Sequence, residues 1–185
     1  MNLKLYSYWR SSSAYRVRIA LFTKNLAFEY VPIHLLKGEH QTEAYRAISP
    51  MGHVPCLEID GTPYVESVAI IELLDELFPE TRLLPEAPED RARVRALVEI
   101  INSGTQPVQN LVVLQRLPES ERSSWAKHFI ERGLCAYEDL LASYEARGWG
   151  EPVARGVSYG STVSMADAYL VPQLYNAARF GVDLA

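Results

Sequence analysis

Hydrophobic and polar positions alternate at the start of the chain and then switch to helical spacing. Leu3, Leu5 and the run Tyr6 to Tyr8 predict a short strand, and Val17, Ala20 and Leu21, within Tyr15 to Lys24, predict a helix that Asn25 ends. Phe28-Glu29-Tyr30-Val31-Pro32-Ile33 alternates again as a strand, so the opening segment reads as one βαβ unit. The polar stretch from Lys37 to Ala47 predicts an irregular helix before the breaker cluster Ser49-Pro50-Met51-Gly52. Two apolar runs, Val54 to Ile59 and Thr62 to Glu66, flank Asp60-Gly61, a strong hairpin signal. Ser67 is the expected cap of a helix through Val68, Ile70, Ile71, Leu74 and Leu77 to Phe78.

The pattern changes after that helix. Pro79 to Pro88, with three prolines, reads as a linker, and everything beyond it has helical spacing. One long helix is expected from Asp90 through Val94, Leu97, Val98 and Ile101, bending near Gly104 and Pro107 and continuing through Leu111 and Leu114. A second runs from Glu119 to Tyr144, with Trp125, Phe129, Leu134, Tyr137, Leu140 and Leu141 on one side. A glycine-rich loop, Gly148 to Gly160, precedes Ser164-Met165-Ala166-Asp167, spaced as a structural capping box with Asp in place of the usual Glu or Gln. The expected fold class is α/β plus all-α: a βαβ-α-ββα domain over 1–80, a linker over 81–90, and a helical domain over 91–185.

Composition narrows the function classes. A chain of 185 residues can bury a sizeable core without disulfides, and its two cysteines, Cys56 and Cys135, lack metal-ligand spacing, so both read as reduced thiols of a cytoplasmic protein with no metal site. The chain enters a strand directly at Leu3 with no signal-peptide pattern, and no apolar run approaches the ~20 residues a membrane span requires. A net charge of -5 with mixed signs offers no broad basic field for nucleic acid.

Candidate chemistry sits at two strand-to-helix turns. Trp9-Arg10-Ser11-Ser12-Ser13 places hydroxyls where the first N–H groups of a helix have no internal partner and carry partial positive charge, which favours an anion or a thiolate. Taken alone, the run is better read as one N-cap serine with solvated neighbours, and that plainer reading leads. Glu66-Ser67 repeats the arrangement, so two such turns can face one ligand.

The chain as a whole resembles the zeta class of cytosolic glutathione transferases. The resemblance is carried by Ser11-Ser12-Ser13 followed by Ala14-Tyr15-Arg16-Val17-Arg18-Ile19-Ala20-Leu21, by Ser67-Val68-Ala69-Ile70-Ile71-Glu72 and by Arg82-Leu83-Leu84-Pro85. It extends through Gln106-Pro107-Val108-Gln109-Asn110-Leu111, Met165-Ala166-Asp167, and Val171-Pro172-Gln173 to Leu184. It implies a thioredoxin-like N-terminal domain, a helical C-terminal domain, glutathione as cofactor, a homodimer, and cis–trans isomerisation of maleylacetoacetate to fumarylacetoacetate in aromatic amino-acid breakdown. Two departures stand out: Ser13 occupies a position usually held by cysteine, and the chain stops at Ala185 where relatives continue through helices that help close the site.

The site residues follow from the same resemblance. Ser11, with Ser12 as backup, would stabilise the glutathione thiolate, and Ser13 would lie in the same turn. Val54, beside a cis bond to Pro55, would pair with the cysteinyl backbone; Glu66 and Ser67 would hold the γ-glutamyl end, and His40 would approach the glycyl end or stand as a surface-loop histidine. Gln106 and Asn110 would line the site from the helical domain. Arg10 and Arg179 would hold the carboxylate and developing oxyanion of a small acidic enol substrate, a task suited to the planar, two-pronged guanidinium. Relatives acting on maleylpyruvate carry a histidine and a further arginine in the Gln106 to Val112 region, where this chain has Gln106, Leu111 and Val112, which favours maleylacetoacetate. The alternatives are a maleylpyruvate isomerase or general glutathione transferase, and, from another class, a non-catalytic binding module of the same fold.

Overall fold

The computed structural model describes residues 1–150 and 153–184. The chain divides into two compact units, the first from Met1 to Leu83 and the second from Leu84 onward. The expected Gly148 to Gly160 loop includes residues 151 and 152, which, like residue 185, lie outside the described residues.

The first unit is a four-stranded mixed sheet in the order β2-β1-β3-β4. Its elements are β1 (Leu3–Ser7), α1 (Ser12–Thr23), β2 (Glu29–Pro32), single 3₁₀ turns at Leu35–Lys37 and Glu39–Gln41, α2 (Glu43–Arg46), β3 (Cys56–Ile59), β4 (Thr62–Val65) and α3 (Ser67–Leu77). This is the βαβ-α-ββα order expected from the hydrophobic pattern. β1 lies parallel to β2, pairing Leu5 with Tyr30, and antiparallel to β3, pairing Leu5 with Leu57. Asp60 and Gly61 both take positive φ, 47° and 86°, as a two-residue hairpin turn twisted to match its strands requires. Leu5, Val17, Leu21, Leu57, Ile70, Ile71 and Leu74 are fully buried between the sheet and the helices, and truncating any of these leucines costs roughly 2–5 kcal/mol.

A buried ion pair closes the unit. Lys24 Nζ donates to Asp75 Oδ1 at 2.9 Å and to the carbonyls of Phe78 and Thr81 at 3.0 and 2.7 Å, while Asp75 Oδ1 also accepts from the Leu83 amide at 2.6 Å. The ends of α1 and α3 and the segment leaving the unit are thereby tied to one charge pair. The charges are tolerable in the interior because every polar atom they carry inward meets a partner.

The second unit contains α4 (Pro88–Asn102), α5 (Leu111–Leu114), α6 (Glu119–Ala146) and α7 (Met165–Arg179) among the described residues. Pro88 stands at the start of α4, where its missing N–H costs nothing. The expected bend near Gly104 is instead a break: α4 ends at Asn102, residues 103–110 form a series of turns, and α5 starts afresh with Asn110 as its cap. The break lets Thr105 bury against α6, where a Cβ built on Gly133 would lie 2.0 Å from the Thr105 hydroxyl oxygen. The Ser164–Asp167 capping box forms as expected, with Asp167 Oδ2 accepting from the Ser164 amide at 2.7 Å and Oδ1 from the Ser158 amide at 2.6 Å. No described helix is long and apolar enough to cross a membrane.

Candidate active site

The N-cap reading of the serine run is realised in the β1–α1 turn. Ser11 is the N-cap of α1: its Oγ accepts from the Ala14 amide at 3.2 Å, and its backbone carbonyl accepts from Tyr15. The cap uses the oxygen only as an acceptor, so the Ser11 O–H remains a donor. Accepting the Ala14 bond also polarises that O–H toward a further acceptor. The Ser12 and Ser13 amides have no acceptor among the described residues. One hydroxyl and two amides thus converge at a helix end that favours negative charge. Arg10 precedes the turn, half-buried, with its guanidinium 5.7 Å from the centre of the exposed Trp9 ring.

Val54 packs in one buried cluster with Tyr8, Ala14 and Tyr45, which brings the Val54-Pro55 segment against the serine turn. The Val54-Pro55 bond is cis, as the resemblance implied. Neither the Val54 amide nor its carbonyl bonds to another backbone group among the described residues, which leaves both open to a ligand. Tyr45 Oη and Ser49 Oγ donate to the His53 carbonyl at 2.8 and 2.9 Å and hold the approach to Val54. The His40 loop sits tightly on Gly52, where a Cβ would meet the His40 carbonyl oxygen at 2.7 Å. Burial, then the neighbouring His53 and Arg46, push the His40 imidazole below the ordinary histidine value.

The β4–α3 turn differs from its expected form in one respect. Glu66, and not Ser67, is the N-cap of α3, and it makes no side-chain cap bond. Ser67 is the first helical residue, buried, and its Oγ accepts from Arg16 Nη1 of α1 at 3.1 Å. The serine is drawn inward by a long-range partner, so the capping position falls to the residue before it. Glu66 takes φ 69° and ψ 120°, a conformation a non-glycine residue holds at a cost of about 1–3 kcal/mol and one that collects at ligand sites. Its side chain is exposed at the start of α3 and does not cap the helix.

Within the first unit, Arg10, Ser11, Ser12, Ser13, His40, Val54, Pro55, Glu66 and Ser67 therefore come from segments tied together by the Tyr8–Val54 cluster, the Gly52 contact and the Arg16–Ser67 bond. Gln106, Asn110 and Arg179 belong to the second unit. There Gln109 Nε2 donates to Gln173 Oε1 at 2.7 Å, joining the turn that carries Gln106 and Asn110 to α7. Asn110 Oδ1 accepts from the Val112 amide as the α5 cap. Arg179 is exposed at the end of α7, 3.4 Å from Asn176 Oδ1, with Phe180 beneath its guanidinium.

Comparison with known proteins agrees with this geometry. Residues 5–82 match the glutathione S-transferase N-terminal domain family. The chain is 46% identical over 183 residues to the maleylacetoacetate isomerase of Mus musculus, covering 98% of this chain and 81% of that protein. Among solved structures, the holo form of a maleylpyruvate isomerase, a bacterial glutathione S-transferase in the zeta class, superposes with a TM-score of 0.90 at 39% identity, covering 98% of this chain and 85% of that one. The chain belongs to the zeta class of glutathione transferases. The maleylacetoacetate isomerase of Anaeromyxobacter dehalogenans, solved with glutathione bound in its active site, is similar at 49% identity and a TM-score of 0.83, covering 99% of this chain and 84% of that one.

In this zeta-class chain the α/β unit is the thioredoxin-like domain and the second unit the helical domain. Three features around the candidate site leave little signal in the sequence. Arg16 and Arg18 carry only helical spacing in the sequence, although Arg16 shares the buried face of Ala14, Val17, Ala20 and Leu21. His53 gave no signal apart from lying next to Val54. The Gln109–Gln173 pair spans 64 residues and leaves no local pattern.

Proposed function

We propose that this protein is a glutathione-dependent cis–trans isomerase that converts maleylacetoacetate to fumarylacetoacetate. The observation that carries this reading is the Ser11 hydroxyl at the N-cap of α1, with its donor side unused beside the Ser12 and Ser13 amides. The donor set suits the cofactor: two helix ends for anions, the exposed Glu66 carboxylate for an ammonium, and the open Val54 backbone for a peptide group. Bound glutathione would supply a thiolate that adds to the cis double bond, allows rotation about the resulting single bond, and leaves again on elimination.

The chain's own residues have the remaining tasks. Ser11 donates to the sulfur and holds it ionised, with Ser12 as the backup hydroxyl and Ser13 contributing its amide. Val54, next to Pro55, pairs with the cysteinyl backbone. Glu66 and Ser67 hold the γ-glutamyl end without taking part in the chemistry, and His40 meets the glycyl carboxylate. Gln106 and Asn110 line the substrate side, while Arg10 and Arg179 take the substrate's carboxylate and the negative charge that develops on its enol oxygen. A homodimer, a cytoplasmic location and a role in aromatic amino-acid breakdown belong to the same proposal and rest on family resemblance.

The high TM-score to a maleylpyruvate isomerase supports a second reading in which that shorter keto acid is the substrate. Measuring kcat/KM for both acids at one glutathione concentration distinguishes them. A higher value for maleylacetoacetate is expected; a preference for maleylpyruvate would replace the first reading with the second, and no turnover of either would leave the binding-module alternative.

A further inference from the structure

The residues of α1 that face its own leading turn include a second arginine, and its contacts are unusual for a helix side chain. Arg18 Nη1 donates to Ser7 Oγ at 2.9 Å and to the Tyr8 carbonyl at 3.3 Å, and Nη2 donates to the Trp9 carbonyl at 3.1 Å. Its guanidinium also lies 5.0 Å from the centre of the Tyr15 ring, one turn earlier on the same helix. Ser7 is fully buried at the end of β1, and the Tyr8 carbonyl that Arg18 engages is the one that accepts from the Ser11 amide at 3.0 Å. One side chain thus grips the last residue of the strand and the next two residues of the turn that presents Arg10 and Ser11.

We propose that Arg18 is a positioning residue for the thiolate site: its fork fixes the Ser7-to-Ser11 turn and neutralises the Tyr8 and Trp9 carbonyl oxygens that would otherwise oppose an anion at the start of α1. This inference rests on the reading that the serine turn holds a glutathione thiolate. The physical need is specific to that position. The carboxyl end of a strand presents carbonyl oxygens, whereas the helix that follows presents N–H groups, so an anion bound at the junction is attracted by one set and repelled by the other. A guanidinium that binds two carbonyls of the turn reduces the repulsion and adds a positive charge nearby. It also holds Ser11 in the extended conformation that its cap requires, φ -75° and ψ 118°. Lysine keeps the charge as a compact ammonium but lacks the planar fork whose two nitrogens divide here between the Ser7–Tyr8 pair of acceptors and the Trp9 carbonyl. Tyr15 and Tyr30 are the titratable groups that act on the Arg18 guanidinium. The arginine stays charged over the working pH range.

The test is the thiol pKa of glutathione bound to the full chain, read from thiolate absorbance against pH, for wild type, Ser11→Ala, Arg18→Ala and Arg18→Lys. Melting curves and the affinity for S-methylglutathione, which has no thiol to ionise, are measured alongside. Wild type is expected to lower the thiol pKa below that of free glutathione. Arg18→Ala is expected to raise it by about one unit, a roughly tenfold loss of thiolate below the pKa. Arg18→Lys should fall between the two, added methylguanidinium should restore part of the Arg18→Ala loss, and S-methylglutathione affinity should change little. If Ser11→Ala raises the thiol pKa but both Arg18 variants match wild type, the role of Arg18 is wrong and the serine reading stands. A wild-type protein that leaves the thiol pKa at its free value overturns both. Should Arg18→Ala fail to fold, Arg18→Lys decides by itself: a wild-type thiol pKa in that variant rejects the proposal.

Discussion

Replacing Ser11 with alanine removes the helix cap seen in the structure and the proposed hydrogen bond to the thiolate, and their sizes differ enough to be measured separately. A free thiol with a pKa of about 8.5 is only a few per cent ionised at neutral pH, and lowering that value by ~2 units takes about 2.7 kcal/mol. A hydrogen bond from Ser11 to a charged sulfur accounts for roughly 1.5–3 kcal/mol of this, and the helix end for about 0.3–1. Ser11→Ala should therefore lower kcat/KM at pH 7 by roughly 10- to 150-fold. The deficit should shrink toward alkaline pH, where the thiol ionises unaided. Losing the bond from the Ala14 amide should separately reduce stability by about 1 kcal/mol. Ser11→Asp supplies the control: it retains a capping oxygen and hence stability, but sets a negative charge against the thiolate and should be at least as inactive as alanine. Steady-state kinetics from pH 6 to pH 9.5 with matched denaturation curves read both quantities. If Ser11→Ala lost stability but kept wild-type kcat/KM at pH 7, the hydroxyl would be a cap and nothing more.

Ser67→Ala should raise the glutathione KM with little change in kcat if, as proposed, the residue binds and takes no part in the chemistry; an unchanged dissociation constant by calorimetry would remove it from the site. Arg10→Ala and Arg179→Ala should each lower kcat/KM for the acidic substrate about tenfold or more while glutathione affinity holds, as expected for loss of a charge-assisted bond. Wild-type kinetics in both would remove the arginines from substrate binding. Asp75→Ala should destabilise the first unit by about 3–5 kcal/mol, since Lys24 would stay buried without its counter-charge; urea midpoints within error of wild type would contradict the closure described for Lys24. Burial pushes the Cys56 thiol from 9.0 up to about 11 and, together with the Asp90 bond, the Tyr159 hydroxyl from 10.0 up to about 12. Both acids are raised on folding, so their contribution is complete below pH 9 and is lost as pH rises through the folded values. Urea midpoints should accordingly fall from pH 9 to pH 11; a flat or rising profile would show that these groups are not protected.

The fold was largely legible because its signals are local. The alternation at Leu3 and Leu5, the Asp60-Gly61 turn and the helical spacing of Ile70, Ile71 and Leu74 each specify an element within a few residues, and each formed where expected. What sequence could not supply was the choice between a local and a distant partner. Ser67 has the composition of a cap, yet Arg16, 51 residues earlier, takes its oxygen and moves the cap to Glu66. Lys24 and Asp75 carry no pattern that pairs them across the same separation. The break after Asn102 likewise depends on Thr105 meeting Gly133, a contact between residues that neither periodicity nor turn chemistry connects. At the site, the serine turn was visible as a helix start. Its chemical meaning came from the family motif, and the Ser11 geometry then made the cap and the thiolate donor compatible in one residue.

The central claim is that bound glutathione is returned unchanged after each isomerisation. Its most direct measurement is the conversion of enzymatically generated maleylacetoacetate by the full chain at a glutathione concentration far below that of the substrate, with the trans product and total free thiol followed together. Many molecules of fumarylacetoacetate formed per glutathione, with the thiol count constant and no conversion when glutathione is omitted, is the predicted result. Product that never exceeds the glutathione supplied, with thiol lost in step, would identify a conjugating transferase and contradict the account.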